Sequence, residues 1–440
     1  VLAGSATLAA DHLTENLTTI DISHQVGERP VDYGDLESGP VTILVMGSDK
    51  RSGQGNTGYG DFEGARSDTT MLVHIYPDRD SAVVLSIPRD TVTDLPSCKT
   101  AQGKTMAPIR ERFNAAFDRG GPGCTLKAVE KLTGLRVDHF VVLDFNGFKK
   151  TIDALGGVQV CLTRPLQDRQ SGVDLPAGRT RVSGEQALGF VRVRHNIGDG
   201  SDLGRINRQQ LFLSSLIQEV TSSGLLKDPL RMWRVLRESS KSVATDKAMA
   251  DTKAILALAT SLVGMRPDDI TFVTLPWVWN PADPNTVVID RARADPILAA
   301  LESDSPWPPP STPGVDGKPL KAAPGTVTVA IRNATGVQGR ATAAAAKLSP
   351  QGFQIARLSS DGVARKATTI HYASDHLQAA RTLQAAVPGS RLVMDQGVGD
   401  TLVLVLGRAY EGVETVRVKG AKAASGSPEV ATADQNICTG

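Results

Sequence analysis

Aromatic residues are scarce, at 4%, and only seven His and four Cys occur in 440 residues. The His are scattered and no Cys forms a CxxC or CxxH pair, so the usual zinc spacings are missing. No GxxxxGK[ST] loop, HExxH or GxSxG occurs, which removes the ordinary signals of P-loop, zinc-hydrolase and serine-hydrolase chemistry. An excess of charge of one sign is also lacking. Forty-eight Lys and Arg against 47 Asp and Glu give a net charge of +1, so there is no global basic field to hold nucleic acid. Long hydrophobic runs are few. Val1–Ala10 (VLAGSATLAA) is apolar but half the roughly 20 residues that span a bilayer. It is expected to be the outer end of a membrane helix, or else an ordinary amphipathic first helix.

What is present is size and pattern. With 40% apolar residues the chain is long enough for a large core and two domains. Cys98, Cys124, Cys161 and Cys438 are even in number and read as disulfides, which implies an oxidising compartment. Cys98 and Cys124 bracket a Gly- and Arg-rich region and are the first choice of pair, leaving Cys161 for Cys438. Four cysteines allow three connectivities, and buried thiols are the alternative.

Seven prolines in Glu302–Gly325 mark a semi-rigid linker at 302–325. The residues before it alternate short apolar runs (41–47, 69–76, 82–88, 139–145) with helical periods (110–118, 124–134, 146–154, 184–190, 205–224, 229–242, 248–264). The expected fold class is α/β: a three-layer α/β/α domain over 40–301 with helices covering a central mixed sheet. Residues 1–39 form the segment before it. A smaller α/β domain is expected at 326–411, and 412–440 is a polar tail with only Cys438 to pin it.

Charged clusters lie at the ends of the expected strands. Asp49 and Arg51 follow VTILVMG, Arg66-Ser67-Asp68 precedes TTMLVHIY, and Arg89-Asp90-Thr91 follows AVVLSIP. Ligands of open α/β sheets sit beyond the carboxyl ends of strands, so Asp49 and Arg89 are placed to share a site. Farther on, Arg192 and Arg194 are two apart and would share a face if on a strand. Arg205, Arg208 and Gln209 open a helix whose N-terminus also favours an anion. Converging guanidinium groups call for an anionic ligand, and a diphosphate matches their bidentate forks. Carboxylates beside phosphate need a cation between them, so Asp49 and Asp68 are candidate ligands of Mg²⁺ or Mn²⁺. The alternative is a set of ordinary Arg–Asp ion pairs. His195, beside Arg194, is a candidate proton shuttle, with a place in a loop or behind the site as the more ordinary expectation.

GSDKR at 47–51, ARSDTTMLV at 65–73, SIPRDT at 86–91, RFNAAF at 112–117, FVRVRH at 190–195 and DLGRINRQQ at 202–210 together resemble the LytR-CpsA-Psr family of cell-wall phosphotransferases. VAIRNATGVQGRA and QGF are similar to the small C-terminal domain of actinobacterial members. The resemblance implies a single-pass membrane protein with its catalytic domain outside the cell membrane. It would move a glycopolymer from a polyprenyl diphosphate carrier onto peptidoglycan through a phosphodiester. It matches Asp49 and Asp68 to metal, Arg89, Arg192, Arg194 and Arg205 to diphosphate, and Gln209, Arg51 and Asp90 to motif positions. Arg112 stands where many members carry Lys. Asp90 is a candidate for taking the acceptor proton, with Arg89 and Arg51 beside it. The lipid implies an apolar tunnel, for which helices 124–134, 146–154 and 205–224 are candidates. A polyprenyl-diphosphate diphosphatase and a non-catalytic wall-polymer binder are the other readings. A DNA-binding regulator is disfavoured by the neutral charge and the missing helix-turn-helix.

Overall fold

The structure, a computed structural model, describes residues 17–27, 39–48, 67–100, 102–169, 171–193, 202–225, 228–240, 243–418, 430–435 and 438. The chain divides into two compact units, Val1–Trp307 with Glu429–Gly440, and Pro308–Pro428.

In the first unit the strands are β1 (Thr18–Thr19), β2 (Val41–Ser48), β3 (Ser67–Ile75), β4 (Ala82–Ser86), β5 (Val92–Leu95), β6 (Ile109–Arg112), β7 (His139–Asp144), β8 (Val158–Leu162), β9 (Gly178–Val182), β10 (Val243–Thr245) and β11 (Ile270–Thr274). Its helices are α1 (Ala115–Thr133), α2 (Phe145–Leu155), α3 (Gly184–Arg192), α4 (Asp202–Ser222), α5 (Pro229–Ser240), α6 (Thr252–Gly264) and α7 (Arg291–Glu302). Period-two alternation gives the central sheet two apolar faces. Leu44, Met46, Leu72, Val83 and Leu85 pack with Leu126, Val129 and Leu132 of α1 and Ile297, Leu298 and Leu301 of α7. Val41, Ile43, Met71, Ile75 and Val84 face the other way, toward Leu213 and Ile217 of α4 and Ala254, Ala257 and Leu258 of α6. The result is the expected three-layer α/β/α arrangement. A third core joins α2, α3, α4 and α5 to the β8–β9 hairpin around Phe212, Ile152 and Phe190.

Two local expectations fail for identifiable reasons. Residues 109–112 are a strand, because β6 pairs antiparallel with β5, Val92 opposite Arg112. The helix starts only at Ala115 and runs through a kink to Thr133, joining the two expected helices. Gly120 and Gly121 leave helical geometry there, Gly121 at φ 68°, ahead of Pro122. Residues 190–192 extend the helix expected over 184–190 rather than forming a strand. A capping box between Ser183 and Gln186 starts α3, and Arg192 is its last residue. Gly184 is required at this start, since a Cβ would lie 2.2 Å from the Lys149 carbonyl oxygen.

Both disulfides form, Cys98–Cys124 with Cα atoms 5.5 Å apart and Cys161–Cys438 at 5.0 Å. Buried Gln25 braces the first, donating to the carbonyls of Lys99 (2.6 Å) and Gly120 (2.8 Å).

The second unit has strands β12 (Thr328–Asn333), β13 (Gln354–Ser360), β14 (Thr369–Tyr372), β15 (Arg391–Met394) and β16 (Leu402–Leu406), ordered β13-β12-β16-β14-β15. Helices α8 (Arg340–Leu348) and α9 (Leu377–Ala386) close its core over Val329, Ile331, Ile370 and Leu404. Part of the Pro-rich segment lies on this unit, with Leu320 buried and the Ala322 carbonyl accepting from Thr382 Oγ1 at 2.8 Å.

The tail then returns to the first unit. Residues Val430–Thr432 form β17, antiparallel to β11 with Thr271 opposite Thr432, which completes the order β1-β10-β7-β2-β3-β4-β11-β17. Gln218 of α4 donates to the carbonyls of Ala433 (2.6 Å) and Gln435 (3.1 Å), and Gln435 donates to Ser214 Oγ (2.8 Å).

Candidate functional site

Strands β2 and β7 are parallel, as are β4 and β11, so four carboxyl ends gather at one end of the sheet. The pairs Ser48–Asp144 and Ser86–Thr274 mark that end, and antiparallel β3 begins there with Ser67 opposite Ser48. This is where an open α/β sheet collects its ligands.

Just beyond β4, Asp90 binds two guanidinium groups at once. Arg89 Nε donates to Asp90 Oδ2 at 3.2 Å and Arg112 Nη1 donates to Oδ1 at 3.3 Å. Arg89 and Asp90 are mostly buried, at 17% and 16% side-chain exposure, whereas Arg112 is 45% exposed. The backbone holds the group rigidly. Asn114 N donates to the Arg89 carbonyl (3.1 Å), Phe113 N to that of Thr91 (2.8 Å) and Val287 N to that of Asp90 (3.2 Å). The β5–β6 pairing therefore brings Arg112 to a carboxylate 22 positions earlier. With both its oxygens engaged, Asp90 positions these arginines. Asp90→Asn removes the charge that aligns them, and we expect the Michaelis constant for a diphosphate donor to rise about tenfold. Steady-state kinetics check this; an unchanged constant removes the positioning role.

A second group approaches from the helices. Asp144, at the end of β7, caps α2 by accepting from Gly147 N at 2.7 Å, and this sets Phe145 at the sheet end. The guanidinium of Arg192 lies 4.7 Å from the centre of the Phe145 ring. On α4, Arg205 and Gln209 are buried, and Gln209 Nε2 donates to Thr69 Oγ1 of β3 at 2.9 Å. Arg208 donates to the Val193 carbonyl, tying α4 to the end of α3. Gln210 Nε2 donates to Ser86 Oγ and Thr274 Oγ1, both at 3.1 Å. One turn of α4 thus contacts β3, β4 and β11. Gln210 and Phe145 received no role in the sequence analysis; the doubled Gln of DLGRINRQQ was the available signal.

Asp49, Arg51, Arg194 and His195 lie outside the described residues, and Asp68 is described only as a backbone position in β3. No cluster of three or more His, Cys, Asp or Glu suited to a metal occurs among the described residues. No helix among them is long and apolar enough to cross a membrane. Of the helices considered for a lipid tunnel, 124–134 turns Leu126, Val129 and Leu132 into the core. Phe148 of α2 stays half-buried, its ring centre 5.5 Å from that of Phe212 of α4.

Shifted ionisation among the core residues occurs at the opposite end of the sheet. Burial holds the His74 imidazole below its usual range, against the nearby Asp304 carboxylate, while Thr42 Oγ1 bonds its Nδ1 at 3.0 Å. Burial also pushes Tyr76 up to about 12. Although burial raises Asp246, its bonds to His139 and to the amides of Met249 and Phe140 hold it below the usual carboxylate range. The two lowered groups act in different pH windows. His74 contributes stability that is complete above its unfolded value near 6.5 and is lost as pH falls, because the unfolded chain then binds the extra proton. Asp246 does the same only below its unfolded value of 3.8. The thermal midpoint is therefore expected to fall between pH 7 and 5.5, and to fall less in His74→Gln. Equal falls in both proteins on thermal melting would exclude His74 as the source.

The fold and this site define an α/β/α protein that gathers guanidinium groups at the carboxyl ends of its strands. The chain belongs to the LytR_cpsA_psr family, which it matches over residues 5–301. Residues 326–410 match the family described as LytR cell envelope-related transcriptional attenuator. Over 422 residues it is 32% identical to the cell wall biosynthesis protein LcpA of Corynebacterium glutamicum, covering 86% of this chain and 78% of that protein. It is also 31% identical over 215 residues to polyisoprenyl-teichoic acid–peptidoglycan teichoic acid transferase TagU of Bacillus cereus, covering 49% of this chain and 64% of that one. A crystal structure of a Streptococcus agalactiae protein shares the fold, with a TM-score of 0.50 and 21% identity over 60% of this chain and 88% of its own.

Proposed function

We propose that this protein transfers a glycopolymer from a polyprenyl diphosphate carrier to peptidoglycan, forming a phosphodiester. The observation that carries this reading is the pair of guanidinium groups, Arg89 and Arg112, fixed on Asp90 beyond β4. An acceptor sugar hydroxyl attacks the phosphorus that bears the glycan, the bond to the bridging oxygen breaks, and polyprenyl phosphate leaves while the hydroxyl proton passes to that leaving phosphate or to water. Arg89 and Arg112, joined by Arg192, Arg194 and Arg205, bind the diphosphate oxygens and stabilise the charge that develops on the leaving phosphate. The relatives named as transferases to peptidoglycan support the acceptor class.

Asp49 and Asp68 are proposed to hold Mg²⁺ or Mn²⁺. In the sequence each directly follows a serine, Ser48 and Ser67, and a pair of carboxylates suits a hard divalent cation. When bound, the ion neutralises diphosphate oxygens. Two disulfides fit an oxidising compartment, in keeping with a catalytic domain outside the membrane; an anchor through the N-terminal segment is part of the same proposal.

The test incubates the purified chain with a glycan-bearing polyprenyl diphosphate, peptidoglycan and Mg²⁺, and looks for glycan covalently joined to the wall. A chelator should abolish product, and added Mg²⁺ should restore it. Release of polyprenyl phosphate without a covalent product would make the protein a diphosphatase instead. Undiminished turnover with chelator would remove the metal.

A further inference from the structure

The chain has four Trp, and two of them occupy alternate positions on one three-residue strand, Trp277–Trp279. Both lie on one face, their ring centres 5.2 Å apart at 74°, and Trp279 is 54% exposed. A large ring left in water beside a second ring costs solvation energy unless something covers it.

This strand forms a hairpin with Val287–Ile289. Trp279 pairs with Val287 across an antiparallel ladder, and Val287 bridges on its other side to Thr91, with its amide on the Asp90 carbonyl at 3.2 Å. Two strand spacings, roughly 10 Å, therefore separate Thr91 from the tryptophan strand. The turn reaches the same cluster, with Asp283 Oδ2 3.8 Å from Arg112 Nη2. It is held rigid by Asn280 Nδ2 donating to Thr286 Oγ1 at 2.9 Å and Thr286 Oγ1 to the Asp283 carbonyl at 2.8 Å. Arg293 fixes the strand from below by donating to the Trp277 carbonyl at 3.0 Å.

We propose that Trp279, backed by Trp277, is a stacking platform for a sugar ring next to the diphosphate site. A pyranose has an apolar face of C–H groups that covers an indole and a rim of hydroxyls for neighbouring polar groups, here Asn280 and Asp283. The platform recognises the ring chemistry, which the donor glycan and the acceptor strand both carry. The proposal rests on the transferase reading for the identity of the glycan, but binding tests it without turnover.

Wild-type full-length protein, Trp279→Ala and Trp279→Tyr are compared by calorimetry with chelator present. The probes are a polyprenyl diphosphate bearing a disaccharide and soluble glycan strands released from peptidoglycan. Trp279→Ala should weaken binding of one probe by about fivefold to tenfold, and Trp279→Tyr should restore it to within about twofold. A loss on the first probe assigns the platform to the donor; a loss on the second assigns it to the acceptor. The thermal midpoint should stay at the wild-type value, since the ring is exposed. Unchanged binding of both probes in Trp279→Ala, or equal losses in Ala and Tyr, would overturn the platform even if transfer is confirmed.

Discussion

Replacing Arg89 with Ala should slow release of polyprenyl phosphate from a diphosphate donor by about a hundredfold or more. The side chain is 83% buried, so its guanidinium works with little screening, and removing one such preorganised donor typically has an effect of that size. Arg89→Lys keeps the charge but loses the planar fork, and an intermediate loss is expected. The fold should persist. The Arg89 backbone carbonyl still accepts from Asn114 N, and the Arg112–Asp90 pair remains. Turnover by radiolabelled donor, alongside a thermal melt, separates these effects. Wild-type turnover in Arg89→Ala would remove this cluster from the reaction.

Breaking the Cys161–Cys438 disulfide should have the largest effect on stability. The bond closes a span of 277 residues and anchors β17, whose strand covers the edge of β11. Loss of a cross-link of this kind costs about 2–5 kcal/mol, or a thermal midpoint lower by roughly 3–8 °C in a unit of this size. Cys438→Ser should also expose the tail to protease, because the short β17–β11 ladder and the Gln218 and Gln435 bonds must then hold it without the covalent tie. Exposed β11 adds a hazard of edge pairing between copies. A midpoint and cleavage pattern equal to wild type would show that β17 is held without the disulfide.

Much of the layered fold was legible in the sequence. Strands 41–47, 69–76, 82–88 and 139–145 are apolar runs bounded by turns, and their positions are close to those of β2, β3, β4 and β7. Arg89 and Asp90 stood out because SIPRDT ends such a run. Other parts depended on contacts that no local pattern carries. β6 is mostly charged and exposed along its length, so only pairing with β5 makes it a strand. FVRVR alternates like a strand, but its first three residues complete a helix started by a capping box seven residues upstream of Phe190.

By itself the sequence determined the α/β class, the two-part organisation and which charged residues border apolar runs. These follow from periodicity and composition, which act over a few residues. Only the tertiary structure decided that Arg112 shares the Asp90 carboxylate, that Gln209 and Gln210 of one turn contact three strands, and that the tail returns as the last strand of the first sheet. Each joins residues far apart in the chain, and such pairings are set by packing of the whole sheet rather than by any local preference.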